Sequence, residues 1–221
     1  MRMTSVANAG AVNPSEVRRV LLLHGLWMPR LSMHWLAARL REAGFEPEAF
    51  GYASVAGGPD TAIPRLVERL RGEPVHVVAH SLGGLVTLTA LERHPELPVR
   101  RVVCLGSPLC GSAAANGLPG RVWSAASAPL LRRGCAAWAG RPEVGMIAGN
   151  VPMGLGRYVG RFQEDNDGTV TVAETRLPGL ADHTVLAASH SGLLFSADVA
   201  RQAVAFLQRG RFDPPSGGME R

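Results

Sequence analysis

Short apolar runs alternate with amphipathic segments along most of this chain. Residues 19–23 read RVLLL and residues 75–79 read VHVVA, and both runs are typical of strands that are buried on both faces of a parallel sheet. The same pattern predicts six strands in all. They lie at Arg19–Leu23, Glu46–Tyr52, Val75–Ala79, Val99–Leu105, Val144–Ala148 and Thr184–Ala188.

Residues that start and end helices bracket four of the amphipathic segments. Serine, threonine and aspartate cap helix N-termini because their side-chain oxygens accept free backbone N–H groups, and glycine ends helices because it adopts positive φ. Strands that alternate with helices indicate βαβ units, and hence a mostly parallel sheet with helices on both faces. The predicted helices begin after Ser32, after Asp60 or Thr61, at Leu82 and after Ser196, and the first and last end at Gly44 and Gly210.

The length of 221 residues suits a single domain with a substantial core. We assign that domain to residues 18–210, preceded by a flexible N-terminus at 1–17 and followed by a disordered tail at 211–221. Residues 111–142 are rich in Ala, Gly, Ser and Arg and break the alternation of strands and helices. We expect them to form a short cap inserted between the fourth and fifth strands.

Composition excludes several classes of function. All 23 basic residues are arginine, so the chain cannot build a Walker phosphate loop, a pyridoxal Schiff base or a Ser–Lys hydrolase. The formal net charge is +5, and all of it lies in residues 111–162, where six arginines face one acid, Glu143. The remaining 17 arginines and 17 acids balance. No aromatic–basic interleaving accompanies the arginines, so we predict no nucleic-acid partner.

The sequence carries no signal for a membrane, an export route or a metal. Residues 1–17 lack the apolar core of a signal peptide, and no run of 18 apolar residues occurs. The three cysteines show no Cys/His ligand spacing. We therefore expect a cytoplasmic, soluble protein with no metal and no cofactor.

The strongest chemical signal is Ala79-His80-Ser81-Leu82-Gly83, which joins a predicted strand to a predicted helix. A nucleophilic serine at such a tight turn stands above the sheet, and large side chains two residues away on either side would clash with it. The following helix directs its free backbone N–H groups and positive dipole end toward Ser81, which favours a negative oxygen there. The pattern predicts that Ser81 is a nucleophile.

A serine nucleophile needs a general base, and two histidines lie near the last predicted strand. His190 follows that strand, so it reaches the same carboxyl edge of the sheet as Ser81, whereas His183 precedes it and reaches the opposite edge. His190 is therefore the predicted base. We expect the side chain of His80 to turn away from the site. His24 belongs to a His-Gly pair at the end of the first strand, and His34, His76 and His94 are interpreted as surface or packing residues.

The base in turn needs an acid to orient it. Asp167 is followed by Gly168, which permits a turn that aims the carboxylate back toward the histidine. Along the chain the three candidates follow the order nucleophile, acid, histidine, which is one of the orders in which such triads occur. Asp165 is the main alternative and Asp182 a weaker one.

Two backbone N–H groups should stabilise an oxyanion near Ser81. One is that of Leu82, and the other lies in the loop after the first strand, where Leu26 is the first choice and Trp27 the second. The side chains of Leu26, Trp27 and Met28 are candidates for the substrate pocket. The alternative is that Trp27 only covers the edge of the core.

Five segments together resemble the α/β-hydrolases, and residues 106–112 are similar to an element of bacterial triacylglycerol lipases, although Ala79 replaces the usual glycine. The resemblance covers residues 18–209 and implies an α/β-hydrolase fold with a minimal, mostly parallel sheet of about six strands. It also implies esterase or lipase activity on carboxylic esters through a Ser-Asp-His triad and an acyl-enzyme. The segments are LLLHGLW at 21–27, VVAHSLGG at 77–84, VVCLGSPLCGS at 102–112, DNDGTV at 165–170 and SHSG at 189–192.

The same triad would also serve a thioesterase, a phospholipid acyl hydrolase or an acyltransferase, and a non-catalytic binding scaffold is a further alternative. The expected partner is a small-molecule or lipid ester. We hypothesise that the basic cap borders the substrate entrance and makes weak contact with a membrane or lipid interface. A merely solvated cap is the alternative to that hypothesis.

Overall fold

The computed structural model describes residues 17–55, 57–113, 115, 126–153 and 164–214. In this part of the chain, six parallel strands form one sheet in the order β2-β1-β3-β4-β5-β6. The predicted fold class is thereby confirmed. The strands are β1 (Arg19–Leu23), β2 (Glu46–Phe50), β3 (Val75–His80), β4 (Val99–Leu105), β5 (Glu143–Gly149) and β6 (Asp182–Leu186).

In the described residues, an α-helix follows each of the first four strands and the last one, and together these helices cover both faces of the sheet. The α-helices of the described residues are α1 (His34–Glu42), α2 (Gly58–Leu70), α3 (Leu82–Arg93), α4 (Ala128–Arg133) and α5 (Ala197–Arg209). Short 3₁₀ helices lie at Arg30–Met33, Ala173–Thr175 and Gly192–Leu194.

The two faces of the sheet divide the core into two apolar clusters. Side chains alternate between faces along a strand, so Val20 and Leu22 of β1 belong to one cluster and Leu21 and Leu23 to the other. Helices α1 and α5 cover the first cluster, while α2, α3 and α4 cover the second. Because both faces are buried, the strands read in the sequence as continuous apolar runs.

The strand order reverses direction between β1 and β3. From β1 the chain moves outward to β2, and then returns to place β3 on the other side of β1. Ligands of open parallel sheets bind outside the carboxyl ends of the strands at such a switch point. The loop after β1 and the turn after β3 therefore meet where a site is expected.

Several predicted boundaries were wrong. Strand β6 begins two residues earlier than predicted because polar Asp182 and His183 pair with Gly145 and Met146 through their backbones. Apolar periodicity gives no sign of such pairing.

The predicted start of two helices was also wrong. Ser32 does not cap α1, since it lies in a 3₁₀ turn and its hydroxyl donates to the carbonyl of Pro29 at 2.8 Å. Helix α2 begins at Gly58, so Asp60 and Thr61 lie inside its first turn. Only Ser196 caps as predicted among these residues, accepting the N–H of Val199 at 3.4 Å.

Most of the two predicted terminal segments, residues 1–16 and 215–221, lies outside the described residues. Of the predicted cap, residues 111–113, 115 and 126–142 are described, and α4 within it buries its leucines against the α2 and α3 face. No helix among the residues described here has the length and apolar character needed to cross a membrane.

Candidate active site

Ser81 occupies the sharp turn from β3 into α3. Its backbone has φ 54° and ψ −122°, a conformation that costs an L-residue free energy and is found mainly at functional sites. The turn is held because the N–H of Ser81 donates to the carbonyl of Leu105 on β4 at 2.9 Å. A Cβ at Gly83 would lie 3.0 Å from the carbonyl oxygen of His24, so the close approach of this turn to β1 requires glycine there.

The loop after β6 brings His190 onto Ser81. His190 Nε2 lies 3.0 Å from Ser81 Oγ, and His190 Nδ1 lies 2.7 Å from Asp167 Oδ2. The backbone N–H of His190 also donates to the carbonyl of Asp167 at 2.8 Å. The structure thus brings together the three residues that the sequence singled out, in hydrogen-bonding order.

Asp167 is almost fully buried, with 1% of its surface exposed. Its Oδ1 accepts the N–H groups of Thr169 and Val170 at 2.9 and 2.8 Å, while Oδ2 faces the imidazole. Gly168 has φ 95°, which allows the chain to fold back so that these N–H groups point at the carboxylate. Both carboxylate oxygens therefore have N–H partners, which fix the orientation of the side chain.

The alternative acids lie elsewhere. Asp165 is exposed. Asp182 sits at the start of β6, at the opposite edge of the sheet, where it accepts the backbone N–H groups of His183 and Phe212. His183 is also at that edge, where its Nε2 forms a hydrogen bond with the hydroxyl of Thr175 at 2.8 Å. None of these groups reaches Ser81.

The predicted oxyanion donors lie at the switch point of the sheet. No hydrogen bond between described residues uses the backbone N–H of Leu26 or of Leu82. Next to Leu26, Trp27 has φ 58°. Apart from glycines, Trp27 and Ser81 are the residues with positive φ in the described part of the chain, so backbone strain is concentrated where a reacting group would sit.

The three apolar residues after β1 differ in exposure. Trp27 is 52% exposed, whereas Leu26 and Met28 are partly buried. Leu26 packs against the cluster on the α2 and α3 face, and Met28 packs against the cluster on the α1 and α5 face. Trp27 is therefore the most accessible of the predicted pocket residues.

Gly106, the first residue of the Gly106-Ser107-Pro108 segment, packs against the side chains of Asp167 and His190. Gly106 has φ 53°, and a Cβ there would lie 3.0 Å from Asp167 Oδ2 and 3.3 Å from His190 Nδ1. The nearest atom to such a Cβ would be Leu193 Cδ1 at 2.7 Å, so a larger residue would crowd Leu193 together with Asp167 and His190. This contact gives a physical reason for glycine at the end of β4.

Two residues near the site were missed by the sequence reasoning. Contrary to the prediction, the ring of His80 does not turn away, since its Nε2 lies 2.9 Å from the carbonyl oxygen of His190. Glu174 accepts the N–H of Thr171 and that of Ala113, and so ties the acid loop to the segment after β4. The spacing Thr171-x-x-Glu174 is that of a capping box and could have been noticed.

Burial sets the charge of the groups around Ser81. It lowers the pKa of His24, and it lowers that of His80 to about 3, with a smaller contribution from His190. Both rings are therefore neutral at physiological pH. Burial raises the pKa of the Glu174 carboxyl, although the backbone N–H groups that it accepts oppose this shift.

Comparisons with solved structures identify proteins with this arrangement of strands and helices. The mature form of a Bacillus licheniformis lipase superposes with a TM-score of 0.70 at 21% identity, covering 86% of this chain and 91% of the lipase. A metagenomic carboxyl esterase gives 0.68 at 17% identity, covering 80% and 65% of the two chains. A pyrethroid hydrolase from Sphingobium faniae gives 0.61 at 15%, covering 87% and 98%. At these identities the likeness concerns the fold.

A comparison with proteins of curated function finds no match. The sequence model of the alpha/beta hydrolase family, in contrast, matches residues 20–214, which include the six strands except for Arg19, the turn at Ser81 and the loop of His190. With the fold and most of the length in agreement, the chain belongs to the alpha/beta hydrolase family.

Proposed function

We propose that the protein is a serine hydrolase that cleaves carboxylic esters through an acyl-enzyme. The observation that carries the proposal is the hydrogen-bonded series from Ser81 Oγ through the His190 ring to Asp167 Oδ2, at 3.0 and 2.7 Å. Membership of the alpha/beta hydrolase family supports hydrolytic chemistry. The solved structures of a lipase and a carboxyl esterase with the same fold favour an ester as the substrate.

In the first step His190 acts as general base. Its Nε2 accepts the proton of Ser81 Oγ while that oxygen forms a bond to the ester carbonyl carbon. The Nδ1–H donates to Asp167, whose charge fixes the tautomer of the ring and stabilises the imidazolium that forms. His190 then protonates the departing alcohol oxygen, and the C–O bond of the ester breaks.

The negative charge on the former carbonyl oxygen falls at the switch point of the sheet. The N–H groups of Leu26 and Leu82 are the proposed donors to it, and a donor of this kind lowers the barrier by roughly 3 kcal/mol in comparable sites. Water then attacks the acyl-enzyme with His190 again as base. The acid is released and Ser81 regains its proton.

A phospholipid is one candidate for the ester substrate. A Legionella pneumophila phospholipase superposes with a TM-score of 0.60 at 15% identity, covering 72% of this chain and 45% of the phospholipase, which keeps a phospholipid among the candidates. A weak contact of the basic cap with a lipid interface would suit such a substrate. In the described part of that cap, Arg133 is exposed and Arg132 donates to the carbonyl of Ala115.

The test of the proposal is hydrolysis of p-nitrophenyl esters by Ser81→Ala. We expect loss of nearly all turnover with an unchanged melting temperature, because only the nucleophilic oxygen is removed. Ser191→Ala is the matched control, since Ser191 is an exposed serine next to His190 in the chain. This variant should keep the activity of the wild type. Full turnover in Ser81→Ala would contradict the proposal, and a parallel panel of thioester and phospholipid substrates would select among the acyl compounds.

A further inference from the structure

His80 is the last residue of β3, immediately before Ser81, and it is fully buried. Its ring lies beside that of His190, with the two centroids 4.6 Å apart. The nearest polar contact of the ring is to the main chain of His190, whose carbonyl oxygen lies 2.9 Å from His80 Nε2. The residue before the nucleophile therefore touches the residue that would serve as its base.

The chemistry of the two groups fixes which nitrogen carries the proton. The pKa of His80 is lowered to about 3 by burial, so the ring is neutral and has one N–H. A carbonyl oxygen can only accept a hydrogen bond. The N–H is therefore at Nε2, and it donates to His190.

This bond completes the fixing of His190. The backbone N–H of His190 donates to the carbonyl of Asp167, and its backbone carbonyl accepts from His80. The imidazole is held through Nδ1 by the Asp167 carboxylate and contacts Ser81 Oγ through Nε2. The main chain of the base is thus held on both sides, one of them by β3 itself, which is a rigid strand of the sheet.

The contact of Nε2 with the carbonyl of His190 offsets part of the cost of burying an imidazole at this position. His80 Nδ1 is buried and has no hydrogen-bond partner in the described part of the chain. Burying a polar atom without a partner costs free energy, and an apolar side chain of similar size would avoid that cost. Room for the ring depends on the loop after β1, because a Cβ at Gly25 would lie 3.0 Å from His80 Nδ1 and 2.9 Å from Ser81 Cβ.

We propose that His80 is a positioning residue that holds the main chain of His190, so that its ring stays in line between Ser81 and Asp167. This inference rests on the proposed function, in which His190 is the base. A residue that only fills space would affect stability, whereas a positioning residue affects the rate of the chemical step.

Three substitutions separate these roles. In His80→Gln the amide nitrogen stands as many bonds from Cα as Nε2 does, so the donor to His190 is kept. In His80→Asn the amide is one bond shorter and does not reach the carbonyl, and His80→Met keeps the length without a donor. The probe is a fluorophosphonate, whose rate of reaction with Ser81 depends on the base and not on the identity of the natural substrate. The melting temperature of each variant is measured alongside.

We expect His80→Gln to be labelled within a few-fold of the wild-type rate. His80→Met and His80→Asn should be labelled roughly ten to a hundred times more slowly, because a displaced base loses its alignment. With p-nitrophenyl esters the loss should appear in kcat, with KM changed by less than about twofold, since substrate binding is untouched. The melting temperature of His80→Met should stay close to that of the wild type, because the loss of the unpaired Nδ1 and the loss of the bond to His190 oppose each other.

Labelling of His80→Met at the wild-type rate would overturn the proposal, as would an equal loss in His80→Gln and His80→Met. In both cases the wild-type protein still reacts, so the proposed function stands. If the wild-type protein itself were not labelled, the proposed function would fail, and the inference about His80 with it.

Discussion

His76 and His80 lie four residues apart on β3 and are both fully buried, one in the body of the sheet and the other at its carboxyl edge. Burial is the main cause that lowers both pKa values, to about 4 for His76 and about 3 for His80. Their neighbours differ. His76 stands edge-on to Phe45 in the apolar cluster, whereas His80 donates to the main chain of His190.

The difference extends to the regions around the two histidines. In the body of the sheet, strand residues alternate between two apolar clusters. At the carboxyl edge, Ser81 and Trp27 adopt positive φ, Asp167 is buried, and Gly106 packs against Asp167 and His190. Positive φ at residues other than glycine is concentrated where a reaction would take place, which is the expected mark of a functional site.

The largest predicted effect is that of Asp167→Asn at the edge. An asparagine keeps the shape but removes the charge and favours the wrong tautomer of His190, so kcat should fall by about four orders of magnitude. Steady-state hydrolysis of p-nitrophenyl esters measures this loss. Asp165→Asn is the matched control, because Asp165 is exposed and two residues away. A larger loss in the control would assign the acid to Asp165.

A smaller effect, on the pH dependence of stability, is predicted for His76→Leu in the body of the sheet. In the wild type the pKa of His76 is lowered by burial and by the charges of Arg101 and Arg100, so the folded protein disfavours the charged ring. Its contribution to stability is present above the unfolded pKa of about 6.5 and is lost as the pH falls through about 4. From pH 8 to pH 4 this loss amounts to roughly 3 kcal/mol.

Urea unfolding of wild type and His76→Leu at both pH values measures the difference between the two proteins. The stability of the wild type relative to the variant should fall by that amount on acidification, while kcat per folded molecule at pH 8 stays unchanged. A variant with the same pH dependence of stability as the wild type would show that His76 does not cause that dependence. A loss of kcat would show that His76 also affects the reaction.

The smallest of these effects is predicted for Gly106→Ala at the edge. The added Cβ would strain a residue with φ 53° and press on Asp167 and His190, so we expect a tenfold or greater loss of kcat. Gly44→Ala is the control, because Gly44 also has positive φ but a Cβ there would meet nothing within 4 Å. It should lower stability by about 1 kcal/mol and leave kcat unchanged. Equal kcat in the two variants would show that the contact of residue 106 with Asp167 and His190 does not affect the reaction rate.

The sequence predicted the body of the protein better than its edge. The bounds of β1 and β4 and the start of α3 were predicted without error because sharp apolar runs and the turn at Ser81 mark them. Strand β6 was placed two residues late, since its first residues are polar and their pairing is made by the backbone.

At the site, the sequence could indicate which residues lie at the carboxyl edge, because parallel strands bring their ends together. It could not indicate that the carbonyl of His190 faces His80, since this depends on the path of the loop between β6 and α5. Asp167 and Asp165 were distinguished in the sequence only by the following glycine. The geometry separates them through the contact of Asp167 with His190.

The central claim is that Ser81 is the nucleophile, and peptide mapping of a fluorophosphonate adduct by mass spectrometry tests it most directly. We predict one adduct per chain, on Ser81. No adduct in the folded wild-type protein, or an adduct on another serine, would contradict the claim.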